Sequence, residues 1–316
     1  MNIVVGSINY DFTIYVDRFP EVGQTVTDGT LFESPGGKGL NQAVASARAG
    51  SKTKFIGCVG DDIIADMLLD FLKQESKKNK NFQHTLIVSK GKTGCAFITV
   101  RSDDGKNEIV VSPGANKRIN KSKVYQELKR SKFDSILLQC ELEEDIVEMC
   151  IHFSRKNGKR VFLNTAPFKE WVKDVYHLAD FVVMNELEAS ALASRLKLNS
   201  DTSHIARYLA DKVSGGALIT LGEKGAIFCN KKEFFHMPAF SVRSVDTVGA
   251  GDSFCGYFAS FISRGYSIKE AVVYASAAGA ISTTKKGAFS SIPYINEVLR
   301  FLKNSQKPEI KELSAS

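Results

Sequence analysis

Apolar runs and polar breaks alternate along this chain with two different periods. Residues 2–6 form a short, nearly continuous apolar run ending in glycine, the pattern of a strand buried on both faces. Similar runs recur at Thr53–Val59, 135–139, Arg160–Asn164, 181–184 and 217–220. Helical stretches lie between them. One is alanine-rich, spans 40–49 and stops at Gly50; one is capped by Asp61-Asp62 and runs to about Lys73; another spans 143–156. Strands alternating with helices predict an α/β fold with a doubly wound, mostly parallel sheet flanked by helices. Residues 254–263 and Ile268–Thr283 are apolar and rich in small residues, which predicts two closely packed helices. Residues 240–245 read as a strand or extended lead-in, 77–81 as a polar loop, and the tail from Lys303 as frayed.

Two stretches break this alternation. Residues 12–16 and 25–32 are β-branched and aromatic, are separated by Pro20 and Gly23, and have no helix between them. Residues 93–101 and 107–112 flank the turn Ser102-Asp103-Asp104-Gly105 and predict a hairpin. The two excursions are expected to join in a second, small sheet.

Composition changes this picture little. The chain has 316 residues, enough for one large α/β domain or two modest ones. Its net charge of +7 suits an anionic ligand. The basic residues are scattered apart from 73–80 and Lys285-Lys286, so no nucleic-acid surface is expected. None of the six cysteines forms a C-x-x-C pair and most lie in apolar runs, which reads as reduced thiols of a cytoplasmic protein without a zinc site. The N-terminus lacks a signal-peptide pattern and no run of 18 apolar residues occurs, so no membrane span is expected. The five dispersed histidines read as surface or loop residues.

The chemistry concentrates at Asp246-Thr247-Val248-Gly249-Ala250-Gly251-Asp252-Ser253-Phe254. Gly249, Ala250 and Gly251 fall at the first turn of a helix, where unpaired N–H groups and the helix dipole hold anions. A carboxylate in such a turn repels phosphate unless it has a task, and proton removal from an attacking alcohol is one. A helix cap is the structural alternative for Asp252. Ser34-Pro35-Gly36-Gly37-Lys38-Gly39 opens the first helix and suits an anion or a sugar. It is not a P-loop, because Phe32 and Gly39 stand where that motif needs glycine and a hydroxyl residue. Asn9 and Asp11 follow the first strand at its carboxyl end, where ligands bind in open α/β sheets.

Gly36-Gly37-Lys38-Gly39-Leu40-Asn41-Gln42-Ala43-Val44-Ala45 and the stretch 246–254 resemble the two signatures of the ribokinase/PfkB family of sugar kinases, in the family's order and spacing. Gly6 to Asp11 and Asp17-Arg18-Phe19-Pro20 resemble its ribose-kinase branch. The resemblance implies a core of residues 1–11, 34–92 and 112–316 and a β-sheet lid of 12–33 and 93–111 that covers the sugar and serves as a homodimer surface. It implies Asp252 as catalytic base and the amides of Gly249, Ala250 and Gly251 as an anion hole. Sugar contacts fall on Asn9, Asp11, Gly37, Lys38, Asn41 and Glu141, besides Asp252. Asn185 and Glu188 match the element that organises Mg²⁺ through water. Thr220, Leu221, Gly222, Gly225, Gly251 and Ser276, with Asn185, match nucleotide-binding positions. Asp246, Val248, Ser282, Lys285, Gly287 and Ser291 resemble the K⁺ loops. Val248 departs from the threonine of many members, and Cys255 stands where ribose kinases commonly have asparagine.

The expected activity is ATP-dependent phosphorylation of D-ribose at O5, with ATP, Mg²⁺ and K⁺ as participants. A related kinase for fructose, a ketodeoxy sugar acid or a nucleoside is the nearest alternative. A catalytically silent sugar-binding regulator is another. A dinucleotide-dependent dehydrogenase is disfavoured, because no G-x-G-x-x-G follows the first strand.

Overall fold

The computed structural model describes residues 1–103 and 105–314. Asp104 of the expected turn, and Ala315 and Ser316 of the tail, lie outside the described residues. Among the described residues no helix is long and apolar enough to cross a membrane.

The first third of the chain runs β1 (Asn2–Val5), β2 (Asn9–Val16), β3 (Thr30–Gly36), α1 (Lys38–Arg48), β4 (Thr53–Val59), α2 (Ile63–Lys78), β5 (Phe82–Val88), β6 (Gly94–Arg101) and β7 (Asn107–Ser112). Then come α3 (Lys121–Arg130), β8 (Ser135–Leu138), α4 (Glu144–Lys156), β9 (Arg160–Asn164), α5 (Val172–Val175), β10 (Phe181–Asn185), α6 (Glu186–Leu196), α7 (Thr202–Lys212) and β11 (Gly216–Thr220). The last third holds β12 (Ala226–Cys229), β13 (Phe234–Met237), α8 (Ala250–Ser263), α9 (Ile268–Thr283), α10 (Ala288–Ser291), α11 (Ile295–Asn304) and β14 (Lys311–Glu312).

The large sheet has the order β14-β13-β12-β11-β10-β9-β8-β1-β4-β5. From β11 to β5 every pairing is parallel, and β12, β13 and β14 add an antiparallel edge. The parallel strands β1 and β8 are buried along their whole length because helices cover both faces. One face packs on α1, α8 and α9 through Val44, Tyr257, Phe258 and Val272. The other packs on α3, α4, α6 and α7 through Val124, Ile151, Leu192 and Ile205. The expected α/β class holds, with the antiparallel edge as an addition.

The small sheet has the order β3-β2-β6-β7. β2 and β6 pair in parallel, and β3 and β7 close the two edges antiparallel. The expected hairpin is β6–β7. In the expected first excursion β2 begins earlier, at Asn9 rather than residue 12, and β3 is shifted later, spanning Thr30–Gly36 rather than 25–32.

Four local expectations differ from the structure. α2 continues to Lys78, through the start of the expected polar loop, because Glu75 is buried in an ion pair with Arg48 at 2.7 Å. A buried charge pair is invisible to a count of apolar positions. Residues 240–245 carry no strand; Val245 N–H instead donates to the Thr283 carbonyl at 2.7 Å. Of the tail expected to fray, Lys303 and Asn304 close α11, whose Val298 and Leu302 enter the core, and Lys311–Glu312 pair as β14 with β13. His84 and His236 are half-buried strand residues rather than surface or loop residues. The cysteines are unpaired, five buried and Cys95 half-buried.

Candidate active site

The carboxyl ends of the parallel strands and the inner face of the small sheet enclose a cavity of about 430 Å³, within the range of small-molecule sites. β2 and α1 supply Asn9, Asp11, Lys38 and Asn41. Ala96, Ile98, Ile109 and Val111 of β6 and β7 roof it. Glu141, Asn164, Asn185, Glu188 and Thr220 enter from the strand ends, and Val248, Gly249, Gly251, Asp252 and Cys255 from the start of α8. The two sequence signatures, about 200 residues apart, therefore face one space.

Helix α8 begins at Gly249, which adopts φ 78°, a left-handed conformation that glycine holds without strain. A side chain there would also collide with Ala288, whose Cα lies 2.8 Å from the position of an added Cβ. Three residues on, the buried Asp252 carboxylate is held by two amides. Asn41 Nδ2 donates to its Oδ2 at 3.1 Å and Gln42 Nε2 to its Oδ1 at 2.9 Å. α1 and α8 come close enough for this because Gly256 leaves no side chain between them; a Cβ there would sit 2.5 Å from the Gln42 carbonyl. Of the three expected anion-hole amides, Ala250 N–H turns back to the Thr247 carbonyl at 3.3 Å. Gly251 has open space on its side-chain side and lines the cavity.

At the opposite wall, Asp11 is buried and its Oδ1 has no hydrogen-bond partner. Burial, with Glu141 and Asp252 nearby, pushes its carboxyl up to about 7, against the pull of Lys38. Gly36 is packed so tightly on this carboxylate that an added Cβ would lie 1.9 Å from Oδ2. Asn9 is fixed by Asn116, whose Nδ2 donates to Asn9 Oδ1 at 2.8 Å. Glu141 accepts from the Ser7 hydroxyl and from Lys38 N–H at 3.1 Å. Gly37 bends the chain at φ 90°, and Gly39 lies on Gly6 with no room for a Cβ, which meets backbone at 2.5 Å. Burial works against the half-buried Lys38 ammonium, but Asp252, Glu141 and Glu188 outweigh it and hold the group above its ordinary value. Asn41 Oδ1, like Asp11 Oδ1, is a buried acceptor without a partner. Unsatisfied buried acceptors in one polar cavity are what hydroxyl donors of a ligand would fill.

The third wall is the start of α6. Asn185 and Glu188 form a capping box: Glu188 N–H donates to Asn185 Oδ1 at 2.8 Å and Asn185 N–H to Glu188 Oε2 at 3.0 Å. Both side chains still line the cavity, and burial raises the Glu188 carboxyl. Thr220 closes β11 and also lines it, whereas Leu221, Gly222 and Gly225 form the strand-end turn beyond it, with Leu221 N–H on the Gly225 carbonyl at 2.7 Å. Ser276 lies on α9 with its hydroxyl buried and unpartnered.

The two loops expected around a cation do meet. Asp246 Oδ2 accepts from Gly287 N–H at 2.9 Å, and Oδ1 from Val248 N–H at 2.9 Å. The Ser282 and Ser291 hydroxyls donate to the Gly279 and Ala288 carbonyls, and Lys285 pairs with Glu297 at 2.7 Å. Those three side chains point to protein partners.

Several site residues carry no expectation from the sequence. Gln42 is fully buried, bonds Asp252 and Asn164, and accepts from Gln139 Nε2 at 2.7 Å. It stood inside the first signature beside Asn41, and its neighbourhood was the available signal. Asn164, Gln139 and Asn116 lie on separate elements, and only the fold brings them together.

The family model described as pfkB family carbohydrate kinase matches residues 1–295. A ribokinase of Haemophilus influenzae is 37% identical over 305 residues, covering 96% of this chain and 98% of that protein. The crystal structure of a Thermotoga maritima ribokinase superposes with a TM-score of 0.83 at 34% identity, covering 96% of this chain and 99% of that one. An Arabidopsis thaliana ribokinase, solved with ribose and ATP, has a TM-score of 0.78 at 27% identity over 96% of this chain and 99% of that one. Matched over nearly its whole length, this chain belongs to the pfkB family of carbohydrate kinases.

Proposed function

We propose that this chain transfers the γ-phosphoryl group of ATP to O5 of D-ribose, giving D-ribose 5-phosphate and ADP. The observation that carries this reading is the placement of Asp252. Its carboxylate stands at the start of α8, oriented by amide donors on both oxygens, in the same cavity as the unpartnered acceptors of Asp11 and Asn41. Each Asp252 oxygen keeps a lone pair for a substrate hydroxyl. Asp252 takes the O5 proton as that oxygen attacks the γ-phosphorus, and the leaving oxygen departs on ADP. The free backbone amides at the helix start then face the charge of the transferring group. Asp11, Asn9, Asn41 and Glu141 hold the sugar hydroxyls, and the apolar roof of Ala96, Ile98 and Ile109 limits access of competing water.

Asn185 and Glu188 suit Mg²⁺ through water, since a buried carboxylate with a raised pKa gains from a nearby cation. The ion would neutralise phosphate charge. A K⁺ between the Asp246 and Gly287 loops would lean on backbone carbonyls and the remaining lone pair of Asp246, because the Ser282, Lys285 and Ser291 side chains are turned away. The outer face of the small sheet exposes Ile14, Leu31, Phe97 and Val110, which supports a homodimer through the β-sheet lid. Unpaired cysteines fit a reducing cytoplasmic compartment.

The test is ADP release with D-ribose, 2-deoxy-D-ribose, D-fructose, a ketodeoxy sugar acid and adenosine. D-ribose is expected to give the highest kcat/KM. Asp252→Asn should lower turnover ~10²–10⁴-fold while ribose binding by calorimetry persists. Near-normal turnover in that variant refutes the base assignment.

A further inference from the structure

We propose that Tyr15 is a positioning residue for phosphoryl transfer, tying the strand that carries the sugar ligands to the loop that aims the anion-hole amides. The inference rests on the sugar-kinase reading above. Asp11, Thr13 and Tyr15 alternate along β2 with their side chains buried on one face, so Tyr15 sits two alternations beyond the sugar-facing carboxylate. Its hydroxyl donates to Asp246 Oδ2 at 2.8 Å, a buried contact between the small sheet and the core. The same carboxylate binds Val248 N–H, the residue immediately before the helix-capping Gly249, and Gly287 N–H on the loop that packs on Gly249 through Ala288. Three donors on one carboxylate thus join β2, the approach to α8 and the 287–288 turn. Charge-assisted hydrogen bonds of this kind are the stronger and more directional class.

The surroundings fix the ring as well as the hydroxyl. The Lys286 ammonium lies 4.2 Å from the Tyr15 ring centroid, and the Phe32 ring from β3 packs on Gly287, 2.7 Å from where a Cβ there would be. Tyr15 and Asp246 are both buried and neither lines the cavity, so neither touches substrate. The small sheet brings Asp11 to the sugar and, through Tyr15, brings the Asp246 loop to the position that sets the direction of the Gly249 and Gly251 amides.

The experiment is steady-state kinetics of Tyr15→Phe, Asp246→Asn and the double variant, with ribose affinity by calorimetry and a thermal melt for each. Tyr15→Phe keeps the ring and loses the hydroxyl. It should lower kcat at least tenfold, since displacement of reacting groups by ~1 Å costs ~10²-fold, while KM and Kd for ribose stay within about twofold. If Tyr15 acts through Asp246, the double variant is no slower than Asp246→Asn alone. Unchanged kcat in Tyr15→Phe overturns the inference, as do multiplicative losses in the double variant or a kcat loss matched by an equal rise in ribose Kd. Should Tyr15→Phe not fold, Asp246→Asn carries the same requirement: a fall in kcat at constant ribose Kd. Turnover of the parent protein, measured first, tests the sugar-kinase reading separately; a parent without sugar-kinase turnover would sink both.

Discussion

If Asp11 holds sugar hydroxyls as proposed, ribose binding should depend on pH with a sign and size that follow from the environment of this carboxyl. Its carboxyl titrates near 7 rather than 3.8 because it is buried, beside Glu141 and Asp252, and only Lys38 opposes the shift. Sugar hydroxyls donate to the ionised form, so bound sugar lowers this pKa and the ionised form is the competent one. With a free-state value of about 7, roughly one molecule in eleven is ionised at pH 6 and ten in eleven at pH 8, so apparent Kd for ribose should be about tenfold weaker at pH 6. Titration calorimetry in two buffers of different ionisation enthalpy should show close to one proton released per ribose bound at pH 6 and little at pH 8. Asp11→Asn should bind ribose weakly with no such slope. A Kd independent of pH, with no proton exchange, would refute the argument, and a slope of opposite sign would mean that Asp11 binds as an acid. The ligand-free protein supplies a second readout. A carboxyl whose folded pKa is raised contributes stability below its unfolded value near 4 and loses it as pH rises through about 7. Relative to the parent, Asp11→Asn should therefore melt progressively higher from pH 5 to about 7, and the difference should level off above that.

Two further outcomes follow. Gly36→Ala would place a Cβ 1.9 Å from Asp11 Oδ2, so it should abolish measurable ribose binding while ATP affinity, read by calorimetry, changes little. Initial rates in chloride salts of K⁺, Na⁺ and Li⁺ at constant ionic strength should be several-fold higher in K⁺ than in Na⁺ and lowest in Li⁺; equal rates would remove a functional cation from the Asp246–Gly287 loops.

The sequence made the α/β class legible because buried parallel strands are short apolar runs, and β1, β4, β8, β9, β10 and β11 all are. It hid β5 and β14, whose half-buried or exposed residues carry no such signal. At the site, the glycine-rich signatures were legible for a related reason. Gly36, Gly37, Gly39 and Gly249 each stand where a Cβ would strike Asp11, backbone or a neighbouring helix, so the need for close approach is written as residue type. What could not be read was orientation. Gln42 supports Asp252 only because α1 lies against α8 at Gly256, and Tyr15 reaches Asp246 across 231 residues only because the small sheet packs on the core. A tyrosine in a β-branched, aromatic stretch gives the same pattern whether its hydroxyl meets solvent or a buried carboxylate. The groups proposed to touch substrate are thus visible as motifs, while those proposed to aim them are ordinary residues whose contacts arise from long-range packing, so support residues of this kind have to be sought in the three-dimensional contacts of Asp252 and Asp246.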